Sequence, residues 1–185
     1  QPARILIPTD GVLEAQDWLV RHRVSRGKPM LAMHPGASGC GKRWPLDRFQ
    51  SVAAFLESSH DFLIIEGPAE PGLAAELGRS FRPEGRFIAE SLPLGLLAGI
   101  LSFCHAYLGN DSGISHLAAA LGLRSVVIFG PTQPEQWAPS GPDVQLLRDT
   151  TGCASCGGAG GDRHSCLENV TVERVRDCLT GLQAG

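Results

Sequence analysis

Short apolar runs alternate with longer stretches of helical periodicity along most of this chain. The runs predict strands at 30–33, 62–65, 86–89, 106–108, 125–129 and 144–147. The stretches between them predict helices at 45–56, 69–79, 93–104 and 113–121, and a last helix at 171–182. Because the runs lack the alternation of half-exposed strands, both faces of the sheet should be covered. The pattern therefore predicts an α/β fold with a Rossmann-like, doubly wound parallel sheet built from right-handed βαβ units.

Two further segments need separate interpretation. The stretch 12–24 is compatible with a helix, and the Asp10-Gly11 pair ahead of it is a plausible boundary. The stretch 92–108 is apolar enough to suggest a membrane span, but it is barely long enough and contains a proline and two glycines. A helix with one buried face, followed by a buried strand, is the better interpretation. That face would be formed by Leu94, Leu97, Leu101 and Cys104.

Composition limits the classes of protein to consider. With 185 residues, the chain is long enough for one domain with a sizeable core. A net charge of −3 argues against nucleic-acid binding, which needs clustered basic charge. Only two of the 16 basic residues are lysines, Lys28 and Lys42, so each can be considered individually. The chain opens at Gln1 without a visible signal peptide, which suggests a piece of a longer protein.

The end of the first predicted strand carries the sequence HPGASGCGKRWP at 34–45. Its stretch 36–42 nearly matches the phosphate-binding loop GxxxxGK[ST], but Arg43 replaces the hydroxyl that would hold Mg²⁺. Glycines there let backbone N–H groups approach an anion, with Ser38 and Lys42 nearby. A glycine-rich turn with a solvated lysine explains this segment alone equally well.

The fourth predicted strand ends in GNDSGISHLAAALG at 109–122. Asp111 or Ser112 can cap the helix that follows, and Gly113 leaves the N–H groups of its first turn unobstructed. Those groups and the positive end of the helix dipole suit a phosphate, to which His116 could donate. The alternative is structural: a capping aspartate and a histidine with no ligand.

Several motifs together resemble the C-terminal half of the lipopolysaccharide heptosyltransferases, glycosyltransferase family 9. They occur in order over nearly the whole chain: HPGAS (34–38), KRWP (42–45), EGPAE (66–70), NDSGISHLAAA (110–120), FGPT (129–132) and CLENVT (166–171). The resemblance implies a GT-B enzyme, in which two Rossmann-like domains face each other across a cleft. Residues 29–185 would be the nucleotide-sugar-binding domain with its closing C-terminal helix, and 1–28 the connection from an N-terminal acceptor domain that this chain lacks.

The resemblance also implies a reaction and its participants. The donor would be ADP-heptose, the acceptor the lipid A core, and the reaction an inverting transfer that needs no metal and no cofactor. Ser38 and Lys42 would bind the donor diphosphate, and Lys42 would offset the charge that builds on the departing ADP. Asp111 would bind the heptose, so Lys42 and Asp111 are the two residues expected to act in catalysis. This chain alone would be inactive because the acceptor site and catalytic base belong to the other domain.

The remaining donor contacts are implied in the same way. Ser112, Gly113 and His116 would receive the phosphates, Glu70 would hold the ribose hydroxyls, and Leu92 would pack against the adenine. Glu66 departs from the small or apolar residue that the family often has before the glycines, which weakens the nucleoside assignment. The enzyme would be cytoplasmic, and the full-length protein could contact the inner face of the inner membrane.

The cysteines raise the question of a metal site. Cys153, Cys156 and Cys166 are spaced C-x₂-C-x₉-C, which matches no standard zinc template. A fourth ligand would have to come from His164 or Cys178, so reduced thiols are expected instead. Two other functions remain open from the sequence: a P-loop-like nucleotide-binding NTPase and a non-catalytic nucleotide-sugar-binding module.

Overall fold

The computed structural model describes residues 4–24, 27–149 and 165–181. The helices are α1 (Thr9–Arg21), α2 (Leu46–Leu56), α3 (Leu73–Gly78), α4 (Leu94–Leu101), α5 (Gly113–Ala120), α6 (Pro134–Trp137), α7 (Ser165–Glu168) and α8 (Val172–Thr180). The strands are β1 (Met30–His34), β2 (Asp61–Glu66), β3 (Arg86–Glu90), β4 (Ala106–Asn110), β5 (Arg124–Ile128) and β6 (Val144–Leu147).

The strands form one parallel sheet in the order β3-β2-β1-β4-β5-β6. The chain runs outward from β1 to β3 and then crosses back to place β4 on the other side of β1. The strand order therefore reverses between β1 and β4. In open α/β sheets, ligands bind at such a reversal, outside the carboxyl ends of the strands.

Both faces of the sheet are covered, as the unalternating apolar runs predict. On one face, α1, α4 and α5 pack against alternate strand residues such as Met30 and Ala32. On the other face, α2, α3 and α8 pack against Leu31, Met33 and their neighbours. The prediction of a doubly wound parallel sheet is confirmed, and each predicted strand is present with small changes at its ends.

The start of α1 differs from the sequence prediction. The Asp10-Gly11 pair is not a boundary, because α1 begins at Thr9 and includes both residues. A Cβ on Gly99 of α4 would lie 2.7 Å from the Gly11 carbonyl oxygen and 2.8 Å from the Ala15 Cβ. The small residues are therefore required for α1 and α4 to pack closely, and they do not mark a turn.

The apolar stretch 92–108 forms α4 and then β4, as predicted. The prediction of its buried face is partly wrong. Leu97 and Leu101 are buried, but Leu94, the first residue of α4, is 62% exposed. Within the described residues, no helix is both long and apolar enough to cross a membrane. Whether 1–28 connects two domains stays a prediction.

Helix α3 is shorter than the predicted helix at 69–79. It begins at Leu73 because Glu66, the last residue of β2, accepts hydrogen bonds from the backbone N–H groups of Gly72 and Ala74. These bonds hold the N-terminus of α3 against the end of β2, so residues 67–72 form a loop instead of helix. The unusual Glu66 therefore has a structural role.

Candidate functional site

The candidate residues named from the sequence lie on loops or helix starts at the carboxyl edge of the sheet. Ser38 and Lys42 follow β1, Glu70 follows β2 and Leu92 follows β3. The residues after β4 are Asp111, Ser112 and Gly113, with His116 on the first turn of α5. The loops after β1 and β4 adjoin because these strands are neighbours, so the strand reversal brings Lys42 and Asp111 together.

A three-residue contact joins the loops after β1, β4 and β5. Lys42 Nζ donates to Asp111 Oδ2 at 3.1 Å, and Thr132 Oγ1 donates to the same oxygen at 2.7 Å. The Asp111 side chain is 10% exposed, whereas that of Lys42 is 31% exposed. The carboxylate is thus held in place by a hydroxyl and a cation, while the side chain that carries the cation remains partly exposed.

The turn after β4 is held by a buried hydrogen-bonded network. Ser112 Oγ lies 3.1 Å from His34 Nδ1 and 3.4 Å from Ser115 Oγ. Ser115 donates to the Asn110 carbonyl oxygen at 2.6 Å, so the Tyr107 hydroxyl donates to Ser115 at 3.0 Å. Burial raises the pKa of Tyr107 above its ordinary value, so it stays protonated. The network fixes the turn that leads into α5.

His34 is buried at the end of β1, directly beneath this turn. Its burial, and secondarily the charge of nearby Arg43, lower its pKa from 6.5 to about 4. The ring is therefore neutral at physiological pH. Its Nε2 is buried and has no hydrogen-bond partner among the described residues. A Cβ on Gly36 would lie 2.9 Å from that nitrogen, so Gly36 lets the loop pass close over the ring.

Asn110 links the loop after β1 to the end of β4. Its amide Nδ2 donates to the Pro35 carbonyl oxygen at 2.8 Å, and its Oδ1 accepts from the Trp44 backbone N–H at 2.9 Å. The Trp44 indole is buried and donates to the Val170 carbonyl oxygen. Both ends of the loop that carries Ser38 and Lys42 are therefore fixed.

The N-terminus of α5 has open space at Gly113 and no side-chain cap. Ser112 occupies the N-cap position, but neither it nor Asp111 caps a helix N–H group with its side chain. A Cβ built on Gly113 meets nothing within 4 Å. His116 is exposed one turn later, and Ser38 is exposed on the loop after β1. The first-turn N–H groups of α5 are thus not occupied by a side-chain cap.

On the β2 side, Glu70 is buried against the loop after β1. Its carboxylate lies 3.6 Å from Arg43 Nη2, which also donates to the Ala37 carbonyl oxygen at 3.2 Å. A Cβ on Gly36 would lie 2.9 Å from Glu70 Cδ, so this carboxylate also packs under the loop. Arg43 and Glu70 line an open cleft of about 360 Å³ at this edge.

Leu92 lies farther along the edge, after β3. It is half-buried and packs against the core on the α1 side of the sheet. The preceding Ser91 has a left-handed φ of 48° and donates its N–H to the Glu66 carbonyl oxygen, which turns the chain at this point. Leu92 is thus placed two strands from β1, beyond Glu70.

The loop after β1 differs from a P-loop in its geometry. Lys42 ends a short 3₁₀ turn, Cys40–Lys42, and α2 begins only at Leu46. A P-loop places its lysine where the helix starts, so that the following hydroxyl can reach Mg²⁺. Here Arg43 occupies that position and donates to a backbone carbonyl oxygen. The structure gives no support to the P-loop alternative.

A second cleft, of about 400 Å³, lies at the opposite edge of the sheet, where the strands begin. Its cations are already engaged: Lys28 and Arg82 both donate to the Glu57 carbonyl oxygen, and Arg82 also pairs with the Glu57 carboxylate at 2.9 Å. Ligands in open α/β sheets bind outside the carboxyl ends of the strands, where the loops after β1 and β4 adjoin. The carboxyl edge is therefore the candidate functional site.

The candidate zinc ligands lie partly outside the described residues. Cys153 and Cys156, and the proposed fourth ligand His164, lie outside the described residues. Cys166 is buried at the start of α7. Within the described ranges, no group of three His, Cys, Asp or Glu side chains is arranged to hold a metal ion.

Sequence reasoning missed several residues of this site. The sequence motifs contain Thr132, His34 and Arg43, but they assign none of these residues a contact at the site. Their position in the sequence was the available signal. His34 is the last residue of β1 and Thr132 follows β5, so both lie at the carboxyl edge of the sheet. Their contacts with Asp111 and Ser112 depend on which strands are neighbours.

The chain is similar to known proteins over most of its length. The sequence profile of glycosyltransferase family 9 (heptosyltransferase) matches residues 11–163. The chain is 31% identical over 157 residues to lipooligosaccharide heptosyltransferase 2 of Campylobacter jejuni, covering 80% of this chain and 49% of that protein. The chain thus spans about half the length of the curated relatives it matches.

Solved structures show the same fold. The structure of Escherichia coli ADP-heptose LPS heptosyltransferase II superimposes with a TM-score of 0.81 at 23% identity, over 97% of this chain and 53% of that one. Escherichia coli heptosyltransferase WaaC with ADP gives a TM-score of 0.69 at 22% identity, over 91% and 48%. Profile, relatives and fold agree, and the chain belongs to glycosyltransferase family 9, the heptosyltransferases.

Proposed function

We propose that this chain is the donor-binding half of an inverting heptosyltransferase that takes ADP-heptose as its donor. The observation that carries the proposal is the meeting of Lys42, Asp111 and the open N-terminus of α5 at the strand reversal. A cation, a helix N-terminus and an oriented carboxylate are the groups that a sugar diphosphate requires. A matched relative named for ADP-heptose supports the choice of donor.

The diphosphate binds between the loop after β1 and the start of α5. Lys42 and Ser38 approach it from the first loop, and Ser112, the Gly113 backbone N–H and His116 from the second. Since no side chain caps the first turn of α5, its N–H groups are available to phosphate oxygens. Lys42 exchanges its contact with Asp111 for one with the diphosphate when the donor enters.

The transfer step follows from this placement. An acceptor hydroxyl attacks the anomeric carbon of heptose from the face opposite ADP and gives its proton to the catalytic base, which lies outside this chain. The bond between that carbon and the diphosphate oxygen breaks, and ADP leaves. Lys42 offsets the negative charge that builds on the departing ADP. A charge-assisted contact formed in the transition state contributes about 1.5–3 kcal/mol, a rate effect of roughly ten- to hundredfold. Asp111 orients the heptose.

The nucleoside lies along the β2–β3 part of the edge. Glu70 accepts hydrogen bonds from the ribose hydroxyls, and Leu92 packs against the adenine. The cleft beside Arg43 and Glu70 supports this direction for the nucleoside. No metal takes part, since Lys42 and the helix N-terminus supply the positive charge that Mg²⁺ provides in other nucleotide sites.

The acceptor and the catalytic base belong to the part of the enzyme outside this chain. We propose that the acceptor is the inner core of lipopolysaccharide, that the enzyme works in the cytoplasm, and that the full-length protein contacts the inner face of the inner membrane. The 185-residue chain alone is then expected to bind donor without transferring heptose.

The proposal is tested by thermal melting and calorimetry of the chain with ADP-heptose, ADP, UDP and GDP, each with Mg²⁺ and with EDTA. A ligand at a hundred times its Kd stabilises the folded state by about 2.7 kcal/mol, a shift of several degrees at this size. We expect this shift for ADP-heptose and ADP, unchanged by EDTA. No binding at millimolar concentration, or binding that requires Mg²⁺, would contradict the proposal. Binding by the longer protein without any transfer would favour the non-catalytic module.

A further inference from the structure

Asp111 presents its two carboxylate oxygens to different surroundings. Oδ2 accepts both from Thr132 Oγ1 at 2.7 Å and from Lys42 Nζ at 3.1 Å. Among the described residues, nothing donates a hydrogen bond to Oδ1. A carboxylate has acceptor capacity on both oxygens. The protein therefore occupies one oxygen of Asp111 and leaves the other as an acceptor.

Thr132 sits on a turn that packing fixes in place. The preceding Phe129 is fully buried and donates its backbone N–H to the Leu147 carbonyl oxygen at 2.8 Å. A Cβ on Gly130 would lie 3.0 Å from Leu167 Cγ, so the turn lies directly against α7. The Thr132 hydroxyl is thus presented to Asp111 by a rigid support.

The two donors to Oδ2 differ in what else they can reach. The side chain of Lys42 is partly exposed and flexible, and the proposed function moves it to the donor diphosphate. Thr132 has a single hydroxyl hydrogen, which is already given to Asp111. When Lys42 leaves, Thr132 is the donor that remains to hold the orientation of the largely buried carboxylate.

We infer that Thr132 is a positioning residue for sugar recognition: it holds Asp111 so that Oδ1 faces the hydroxyl groups of the donor sugar. The inference rests on the proposed function and deepens it. Thr132 then contributes to the affinity for the sugar portion of the donor and does not contribute to the affinity for the nucleotide. A hydroxyl that acts through Asp111 changes the preference for ADP-heptose over ADP, whereas a merely structural hydroxyl changes both affinities together.

The test is calorimetry of the 185-residue chain with ADP-heptose and with ADP. Thr132→Val keeps the shape of the side chain and removes the hydroxyl. We expect about a tenfold loss of affinity for ADP-heptose, the size of one charge-assisted hydrogen bond, and less than a twofold change for ADP. Thr132→Ser restores the preference. Thr180→Val is the matched control, because this exposed hydroxyl bonds only to α8 carbonyl oxygens.

A double substitution separates positioning from direct contact. If Thr132 acts through Asp111, adding Thr132→Val to Asp111→Ala, which removes the acceptor of the Thr132 hydroxyl, causes no further loss, whereas additive losses would overturn the inference. Equal losses for both ligands, or an unchanged preference in Thr132→Val, would also overturn it and leave the proposed function intact. Failure of the unsubstituted chain to bind either ligand would overturn both. Thr132→Ser is included because it keeps the hydroxyl if the valine variant folds poorly.

Discussion

The two sides of the candidate cleft use similar charged residues in different ways. On the side formed by the loops after β4 and β5, Lys42 pairs with Asp111 and keeps a partly exposed side chain. On the side formed by the loop after β2, Arg43 pairs with Glu70 but also donates to a backbone carbonyl oxygen of its own loop. Lys42 and Arg43 are adjacent in sequence, yet one is free to move to a ligand and the other holds the loop.

This difference teaches that a charge near a ligand site has to be judged by its other partners. A lysine with one side-chain partner can exchange it for a phosphate at little structural cost. An arginine whose Nη2 contacts both a carboxylate and a backbone carbonyl oxygen of its own loop cannot do so without releasing the loop. We therefore expect substitutions on the two sides to separate ligand affinity from stability.

The largest expected effect is on the free energy of unfolding and comes from His34, which is buried at the end of β1 beneath the candidate site. Its folded-state pKa of about 4 lies below its ordinary 6.5, so the folded state binds fewer protons than the unfolded state between these values. The free energy of unfolding should therefore fall as pH drops from about 6.5 to 4. The loss attributable to His34 reaches about 3 kcal/mol at the acid end.

Urea unfolding from pH 7 to pH 4 measures this effect. His34→Gln should show a shallower fall with pH than the unsubstituted chain. His60→Gln is the matched control, since burial also lowers the pKa of this half-buried histidine but the shift is smaller. Identical pH profiles for the unsubstituted chain and His34→Gln would show that the ring is not held neutral by its surroundings.

The second-largest expected effect is a loss of ligand affinity when Lys42 is replaced. Lys42→Met should weaken binding of ADP and of ADP-heptose by roughly thirtyfold, about 2 kcal/mol, because a charge-assisted contact with the diphosphate is lost. Calorimetry measures both affinities. Lys28→Met provides the control, since Lys28 lies at the opposite edge of the sheet and donates to the Glu57 carbonyl oxygen. Similar losses in the two variants would place the diphosphate elsewhere.

A smaller effect distinguishes two glutamates four positions apart. Glu66 accepts hydrogen bonds from two backbone N–H groups at the start of α3, so Glu66→Gln should lower the free energy of unfolding by about 1 kcal/mol and leave ADP affinity unchanged. Glu70→Gln should instead weaken the affinity for ADP and have the smaller effect on the free energy of unfolding. Denaturant unfolding and calorimetry on both variants test this, and a loss of ADP affinity in Glu66→Gln would exchange the two roles.

The smallest effect belongs to Arg43. Its ion pair with Glu70 is partly exposed and contributes about 1 kcal/mol or less to the free energy of unfolding. Arg43→Met should weaken nucleotide binding about threefold, less than Lys42→Met, with the same factor for ADP and ADP-heptose. Calorimetry of Arg43→Met and Lys42→Met with ADP and with ADP-heptose measures these affinities. A loss as large as that of Lys42→Met would mean that Arg43 itself contacts the donor, and the contrast between the two sides would fail.

The sequence determined the elements of this fold and most of the residues at its functional edge. Apolar runs of three to five residues are local signals, and each became a strand with small changes at its ends. The motifs after β1 and β4 likewise named Lys42, Asp111 and Gly113, because glycines, a cation and a carboxylate that directly follow predicted strands are suited to binding an anionic ligand.

Tertiary structure decided which of these residues meet. Lys42 and Asp111 are 69 positions apart, and Thr132 is 21 positions beyond Asp111, so their contacts follow from the order of the strands and not from any local pattern. The start of α3 depends on a bond back to Glu66, and Gly11 belongs to a helix because α4 lies against it. Local sequence sets the conformation of each segment, but the partner of each polar group is chosen by whichever segment packs beside it.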